Sequence, residues 1–384
     1  MNAVDENSRR APVRHAKFKA RAAELLQSAG IEIDGGRPFD IRVHDPRLYT
    51  RAFAEGSMGV GEAYMDGWWD CPRLDEFFAR LLGAHIDDKV LTWRDALHSL
   101  RARLINQQSR SRSFEIGRRH YDKGNRLYQC MLDKHMMYSC GYWKDAQTLD
   151  EAQEAKLDLI CRKLGLKPGM KLLDIGCGWG GMLRYAAERH GVEGVGVTVS
   201  KEQAELARER CSGLPIDIRL EDYRNVEGRF DRIVSIGMFE HVGYKNYRTY
   251  METARRLLAD DGLFLLHCIG TPKSVTQTDP WIARYIFPNS MLPSARQITT
   301  AIEGLFLFED WHNFGADYDP TLMQWLHNFR AHWDELKSDY DDRFYRMWTY
   351  YLQASAGSFR ARRSQLWQLL LSPNGVPGGC RVAR

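Results

Sequence analysis

The sequence predicts an α/β protein: a parallel sheet covered on both faces by helices, preceded by a smaller, mainly helical N-terminal domain. Three observations carry this. From about residue 115 of the 384, helical patterns alternate with apolar, strand-like runs. One such run, residues 170–175, enters a glycine-rich turn that opens a helix. Two later runs, residues 230–241 and 263–270, are apolar strands that deliver polar side chains at or near their ends.

Residues 1–105 read as the N-terminal domain. Arg9, Arg10, Arg14 and Lys17 lie in a polar leader with no apolar stretch behind it, so it is no secretory signal. Phe18, Ala22, Leu25 and Leu26 then recur at helical spacing. Residues 56–69 are rich in glycine but lack the Lys-Ser/Thr of a phosphate loop. Tight turns and a packed Trp68–Trp69 pair are the leading reading there, ahead of docking or dimerisation, with nucleotide binding last. Residues 106–120 form the expected linker, within a basic run that contains Arg101, Arg103, Arg110, Arg112, Arg118 and Arg119. A solvated connector is the plain reading of such a run. Attraction to anionic lipid headgroups, at about 1 kcal/mol per basic residue near the surface, is the functional one.

The second domain is expected over residues 121–384. Its first well-bounded helix has Thr148 and Glu151 as a capping box, Ala152, Leu157, Ile160, Cys161 and Leu164 as a buried stripe, and Gly165 as the C-terminal glycine. Lys167-Pro168-Gly169 then turns the chain into the glycine-loop strand. Past residue 320 the pattern is helical, with Trp325, Phe329, Trp333, Phe344, Trp348, Tyr350, Tyr351, Phe359 and Trp367. Such aromatic stripes are usually core.

Composition narrows the function classes. A net charge of +4 does not announce nucleic acid. The eight cysteines are scattered without a CxxC pair, which points to a reducing cytoplasm and to no metal. No stretch approaches the about 20 apolar residues that span a bilayer, so lipid would be met from the surface.

In the turn after residue 175, glycines without Cβ atoms let a ligand approach the main chain at the carboxyl end of a strand. The spacing Gly176-x-Gly178-x-Gly180 differs from the dinucleotide fingerprint GxGxxG. Asp174 pairs well with an ammonium and repels a pyrophosphate, so a ligand with an amino acid end, such as S-adenosylmethionine, fits better. The strand 191–200 lacks the usual ribose-binding acid at its end and offers Thr198 and Gln203, with Glu202 the carboxylate nearby. Glu221-Asp222-Tyr223 follows the strand-like residues 216–220, putting a carboxylate and an aromatic face where an adenine would lie. Taken singly, each is more a turn residue than a ligand; their order along the sheet joins them. The run from Phe230 through Ile236 and Gly237 delivers Glu240 and His241, and the next strand brings His267 to the same edge. Neither an Asn/Asp-Pro-Pro-aromatic tetrad nor a Pro-Cys pair stands there, which argues against nucleic-acid amino or cytosine C5 methylation.

His-Tyr-Asp-Lys-Gly-Asn at 120–125, Tyr-Ser-Cys-Gly-Tyr-Trp at 138–143, the Asp174 loop and Phe-Glu-His-Val-Gly at 239–243 occur together and in this order. In them the chain resembles the bacterial cyclopropane-fatty-acyl-phospholipid synthases, nearly end to end, including residues 56–69, 311–318 and 381–384. Its second half is also similar to the mycolic acid cyclopropane synthases, which lack the N-terminal domain. The resemblance implies a Rossmann-like S-adenosylmethionine methyltransferase domain whose C-terminal helices bind lipid. It implies transfer of a methylene to the cis double bond of a phospholipid acyl chain, with bound bicarbonate as proton acceptor. The anion's cradle would be Cys140, Glu240, His267, Tyr318 and the backbone of Ile269. Tyr138, Ser139, Gly176, Gly178, Thr198, Gln203, Tyr223 and Ile236 match the cofactor contacts, to which Asp174, Asp222 and Gly237 are added. A buried Glu240 beside an anion needs a proton, held by Glu240 or His267, while Cys140 stays a thiol. A covalent role for Cys140 is the rival, and no neighbouring motif activates it. A homodimer built on the N-terminal domain, resting on the anionic inner face of the cytoplasmic membrane, is the expected setting, with no nucleic acid as partner. Rival functions are a methyltransferase that leaves a methyl branch or acts on a small amine, and a non-enzymatic lipid- or nucleic-acid-binding protein that kept the fold.

Overall fold

The computed structural model describes residues 4–86 and 124–384, and they fall into two compact units. One gathers the N-terminal elements together with Asp279–Ile286 and Trp333–Arg363. The other contains the chain up to Thr278, Phe287–His332 and Ser364–Arg384. Residues 279–286 and 333–363, assigned from sequence to the second domain, therefore pack with the first. The basic run 101–119 and residues 120–123 lie outside the described residues.

The first unit is built from the helices Val4–Gln27, Arg47–Glu55, Ser57–Met65 and Leu74–Gly83 and a short antiparallel pair, β1 (Arg42–Val43) with β2 (Trp69–Asp70). The expected amphipathic face is present: Leu25 and Leu26 are buried and Phe18 stacks on Phe53 at 5.3 Å. Gly56 (φ 58°) and Gly67 (φ 74°) make the expected tight turns, and Gly59 and Gly61 serve close packing. A Cβ on Gly61 would overlap the Trp281 indole, and one on Gly59 the Arg51 backbone. Trp69 is buried and donates its Nε1 proton to the Val60 carbonyl at 3.0 Å. Trp68 is not packed beside it; it lies half-buried beneath the Arg47 and Arg51 guanidiniums, 4.6 and 5.0 Å from its ring. The helix Asp342–Arg360 carries Trp348 and Tyr350 into this same unit, where Arg346 donates to Asp70 at 2.6 Å.

The second unit is a seven-stranded sheet in the order β5-β4-β3-β6-β7-β9-β8. Its strands are β3 (Lys171–Ile175), β4 (Glu193–Thr198), β5 (Ile216–Leu220), β6 (Phe230–Ile236), β7 (Leu258–Gly270), β8 (Leu307–Asn313) and β9 (Gln365–Ser372). Pairing is parallel from β5 through β7, as expected, but β9 runs antiparallel to both its neighbours. The pattern past residue 320 predicts helix throughout, but Gln365–Ser372 with Trp367 is this strand, its continuous apolar run being buried between β7 and β8. Successive residues of the central strands enter opposite cores. Leu173, Phe264, Leu266, Leu369 and Leu371 face one way; Leu172, Leu263, Leu265 and Leu370 face the other.

Helix Leu149–Leu164 has the expected ends. Glu151 N–H donates to Thr148 Oγ1 at 3.3 Å, the Glu151 carboxylate receives the Thr148 N–H at 3.1 Å, and Gly165 closes the helix in the left-handed conformation. Its apolar stripe is fully buried. Among the described residues, no helix is long and apolar enough to cross a membrane.

Candidate active site

The chain order places β3 and β4 on one side of a reversal and β6 and β7 on the other, and a crevice opens outside their carboxyl ends. Gly176 (φ 88°), Gly178 (φ 54°) and Gly180 (φ 80°) all adopt left-handed backbone, so the loop after β3 turns without side chains in the way. At Gly176 the space is also spoken for, since a Cβ would sit 2.7 Å from Met238 Cβ and Cγ.

One cavity at this edge is lined by Tyr138, Ser139, Asp174, Gly176, Gly178, Thr198, Gln203, Tyr223, Ile236 and Gly237. Asp222 is outside that set. Its carboxylate caps the turn Tyr223–Asn225, receiving the Arg224 N–H at 3.0 Å and its guanidinium at 2.7 and 2.6 Å, and the neighbouring Glu221 lines the cavity instead. Thr198 Oγ1 donates to Gln203 Oε1 at 2.9 Å, which ties the polar end of β4 to the helix Lys201–Arg210.

Asp174 is the carboxylate at the strand end in this cleft. It is buried, its Oδ1 has no hydrogen-bond partner, and burial pushes its carboxyl up to about 7 against the pull of the Lys156 ammonium. An orphaned buried carboxylate oxygen facing a glycine-lined cleft is a fitting receptor for a cationic ligand end.

The five residues expected around an anion lie outside the lining of that cavity. Glu240, in the short turn Phe239–His241 beyond β6, accepts the Ile269 N–H on Oε1 at 2.6 Å. That amide is thereby committed to Glu240. Oε2 of Glu240 is buried without a partner, and burial raises the acid to about 7, the Ile269 N–H acting the other way. His267 pairs with Ile236 in register; its Nδ1 meets Gln368 Nε2 at 3.3 Å and its Nε2 is buried without a partner. Burial, with Lys156 and Lys163 adding to it, holds its imidazole well below the usual range. Burial thus favours a proton on Glu240 and disfavours one on His267. Cys140 is fully buried, and burial drives its thiol well above the ordinary value, so it stands as S–H and contacts the Gly141 carbonyl at 3.2 Å. Gly141 N–H donates to Thr321 Oγ1 at 3.1 Å, which ties Cys140 to the helix Tyr318–Ala331 and so to Tyr318. Tyr318 and Tyr138 both rest against Trp325, at 6.0 and 5.1 Å. Phe314 bridges His267 (5.8 Å) to Tyr142 (5.3 Å), two residues from Cys140.

Several residues escaped the sequence reading. Trp179 lines the cavity and donates to Asn125 Oδ1 at 2.9 Å, linking the 120–125 motif to the glycine loop. His241, which the sequence already brought to this edge with Glu240, also lines it, and burial lowers its imidazole to about 4. Gln153 and Lys156 are fully buried on helix Leu149–Leu164. Lys156 was findable: it continues the i, i+4 row from Ala152 to Ile160, a charge inside an apolar stripe.

A β5-β4-β3-β6-β7-β9-β8 sheet with one reversed strand, and a glycine-lined cleft at its switch point, define an S-adenosylmethionine-dependent methyltransferase fold. The comparisons agree. The family model described as mycolic acid cyclopropane synthetase matches residues 107–369. Cyclopropane-fatty-acyl-phospholipid synthase of Escherichia coli K12 is 55% identical over 94% of this chain and 95% of its own length. Cyclopropane mycolic acid synthase 2 of Mycobacterium leprae is 35% identical over 66% of this chain and 91% of its own. Among solved structures, the cyclopropane synthase MmaA2 of Mycobacterium tuberculosis aligns with a TM-score of 0.64 at 31% identity, covering 67% of this chain and 97% of that one. The cyclopropane synthase CmaA1 complexed with S-adenosylhomocysteine gives the same TM-score at 33% identity, covering 67% and 97%. The chain belongs to the mycolic acid cyclopropane synthetase family.

Proposed function

We propose that this enzyme is a cyclopropane-fatty-acyl-phospholipid synthase, which adds a methylene from S-adenosylmethionine across the cis double bond of a phospholipid acyl chain and uses bicarbonate as proton acceptor. The observation that carries the reading is the pairing of a cationic-ligand cleft around Asp174 with a buried rim, Glu240 and His267, that has unused polar atoms and no ionised nucleophile.

Bound S-adenosylmethionine supplies an electrophilic sulfonium methyl, and bound bicarbonate a base for the proton that this methyl loses as the ring closes. The residues fit both groups. Asp174 receives the cofactor's ammonium end, the glycine loop admits its backbone-close portion, and Tyr223 offers a ring face for the adenine. Glu240, carrying a proton, donates from its unpartnered oxygen to an anion; neutral His267 and the Cys140 thiol complete that cradle with Tyr318. Cys140 as S–H leaves no thiolate to trap a carbocation, and the Tyr138–Trp325–Tyr318 cluster offers π-faces worth roughly 1 to 2 kcal/mol each to a nearby cation. Of the aromatic residues in the C-terminal part, Trp325, Phe329 and Trp367 belong to this unit and are the ones we assign to the acyl chain's surroundings.

The direct test is incubation with liposomes of monounsaturated phospholipid and S-adenosylmethionine. We expect acyl chains that gain one CH₂ and lose the alkene; a retained alkene carrying a methyl branch, or methylation of a small amine only, overturns the assignment.

We further propose that the first unit dimerises the enzyme and that the basic run around residues 101–119 holds it to the anionic inner face of the cytoplasmic membrane. Binding to anionic vesicles should fall steeply with salt, as phosphate and lysine or arginine charges are screened. Light scattering that reports a monomer, or co-sedimentation indifferent to salt, defeats this part.

A further inference from the structure

We propose that Lys156 is a positioning residue for the cofactor: its buried ammonium holds Ser139 and pairs electrostatically with Asp174, so that the cleft presents a carboxylate to the cofactor's amino-acid end. The inference rests on the cofactor assignment above. Its geometric basis is the helix Leu149–Leu164, which sets Gln153 and Lys156 one turn apart, both with 0% exposure. Gln153 Nε2 donates to the Ser139 carbonyl at 2.7 Å, and Lys156 Nζ donates to Ser139 Oγ at 2.9 Å. Two side chains of one helix thus grip both ends of the residue that stands between Tyr138, on the cofactor side, and Cys140.

A buried ammonium whose hydrogen bond goes to a neutral hydroxyl carries a heavy desolvation cost unless negative charge lies close by. The groups whose charge bears on it come from three elements besides its own helix. Asp133 precedes the 137–140 segment, Asp174 ends β3, and the Cys140 thiol and the neutral His267 of β7 complete the set, with Lys163 also acting on His267. Asp133 is already engaged, accepting the N–H groups of His135 and Met137 at 2.8 Å each. Asp174 is not: its Oδ1 is buried and unpartnered, and it lines the cleft. Asp133 foremost and Asp174 after it thus offset the Lys156 ammonium, and of the two it is Asp174 that keeps an unpartnered oxygen for a ligand ammonium to complete.

The sign of the pH effect follows. Burial raises Asp174 to about 7 and Lys156 opposes that rise, so removing the ammonium moves Asp174 further up. A ligand with an ammonium binds the ionised form, and its affinity falls as pH drops through that value. Glu240 titrates in the same range, so turnover would mix the two groups and ligand binding separates them; burial lowers Lys156 itself to about 8, so its ammonium is present over the acid side of the range where Asp174 takes up its proton.

The experiment measures the affinity of the full-length protein for S-adenosylhomocysteine, and for methylthioadenosine, which lacks the amino acid end, between about pH 6 and pH 9. The wild-type chain should lose S-adenosylhomocysteine affinity toward low pH and show a flat profile with methylthioadenosine. Lys156→Met should bind S-adenosylhomocysteine at least about tenfold more weakly at neutral pH, with the fall displaced upward by about one pH unit. Lys156→Gln keeps a donor for Ser139 without the charge, and should show the same displacement with a smaller loss of affinity. If both variants bind with the wild-type midpoint, the assignment of Lys156 is overturned while the cofactor reading stands. If neither variant folds, Lys156 is structural only, and the assignment is overturned as well. A wild-type chain that binds neither ligand removes the cofactor reading itself.

Discussion

Replacing Glu240 by glutamine is expected to abolish most turnover, by about 10² to 10⁴-fold, while S-adenosylhomocysteine affinity stays within a few-fold of the parent. The amide still accepts the Ile269 N–H on its oxygen, so the turn after β6 is preserved. What is lost is the exchangeable proton: the amide N–H₂ can still donate a hydrogen bond to the anion, but it cannot pass a proton to or from it as a carboxyl raised to about 7 can. The same substitution has a stability signature of the opposite sense. Burial raises Glu240 from 4.5 to about 7, so its contribution to stability is fully present below about pH 4.5 and is lost as pH rises through 7. Glutamine has no such loss. The melting temperature of Glu240→Gln relative to the parent should therefore climb between about pH 5 and pH 8, by an amount equivalent to at most roughly 3 kcal/mol. Asp174 titrates in both proteins and cancels from the comparison. A variant with unimpaired ring formation, or a melting difference that does not move with pH, would remove Glu240 from the role given to it.

Gly176→Val should eliminate cofactor binding, weakening S-adenosylhomocysteine by at least about 100-fold. Two costs combine. Valine is strongly disfavoured at φ 88°, and its Cβ would press 2.7 Å from Met238, a cavity-lining residue that cannot retreat without reshaping the cleft. Gly178→Ala is the internal comparison. Its φ is 54° and nothing lies within 4 Å of the added Cβ, so only backbone strain of roughly 1 to 2 kcal/mol remains, and about tenfold weaker binding is expected. Should Gly176→Val bind S-adenosylhomocysteine as the parent does, the crevice between β3 and β6 is not where the cofactor sits.

Local chemistry was readable residue by residue. Thr148, Glu151 and Gly165 bound their helix as their side chains dictate, because caps act over four or five residues and need no distant partner. The left-handed turns at Gly176, Gly178 and Gly180 follow equally from the missing Cβ. The motifs also marked which strand ends bear polar groups. Spacing did not say how those groups share protons and partners. That Asp222 turns to Arg224, that the Ile269 amide is consumed by Glu240, and that Lys156 reaches Ser139 from a helix that follows it in the chain all depend on three-dimensional juxtaposition.

The sequence by itself determined the class of fold, the helix boundaries, the glycine loop and the set of side chains delivered to one sheet edge, since periodicity and backbone propensity are properties of neighbouring residues. Only the tertiary structure decided that residues 279–286 and 333–363 pack with the N-terminal elements, that β9 runs against its neighbours, and that a lysine in an apolar stripe is buried with its ammonium on Ser139. Those are outcomes of long-range burial: which apolar face finds which partner, and which buried charge finds an opposite one, is settled by the packed whole and leaves little trace in local spacing.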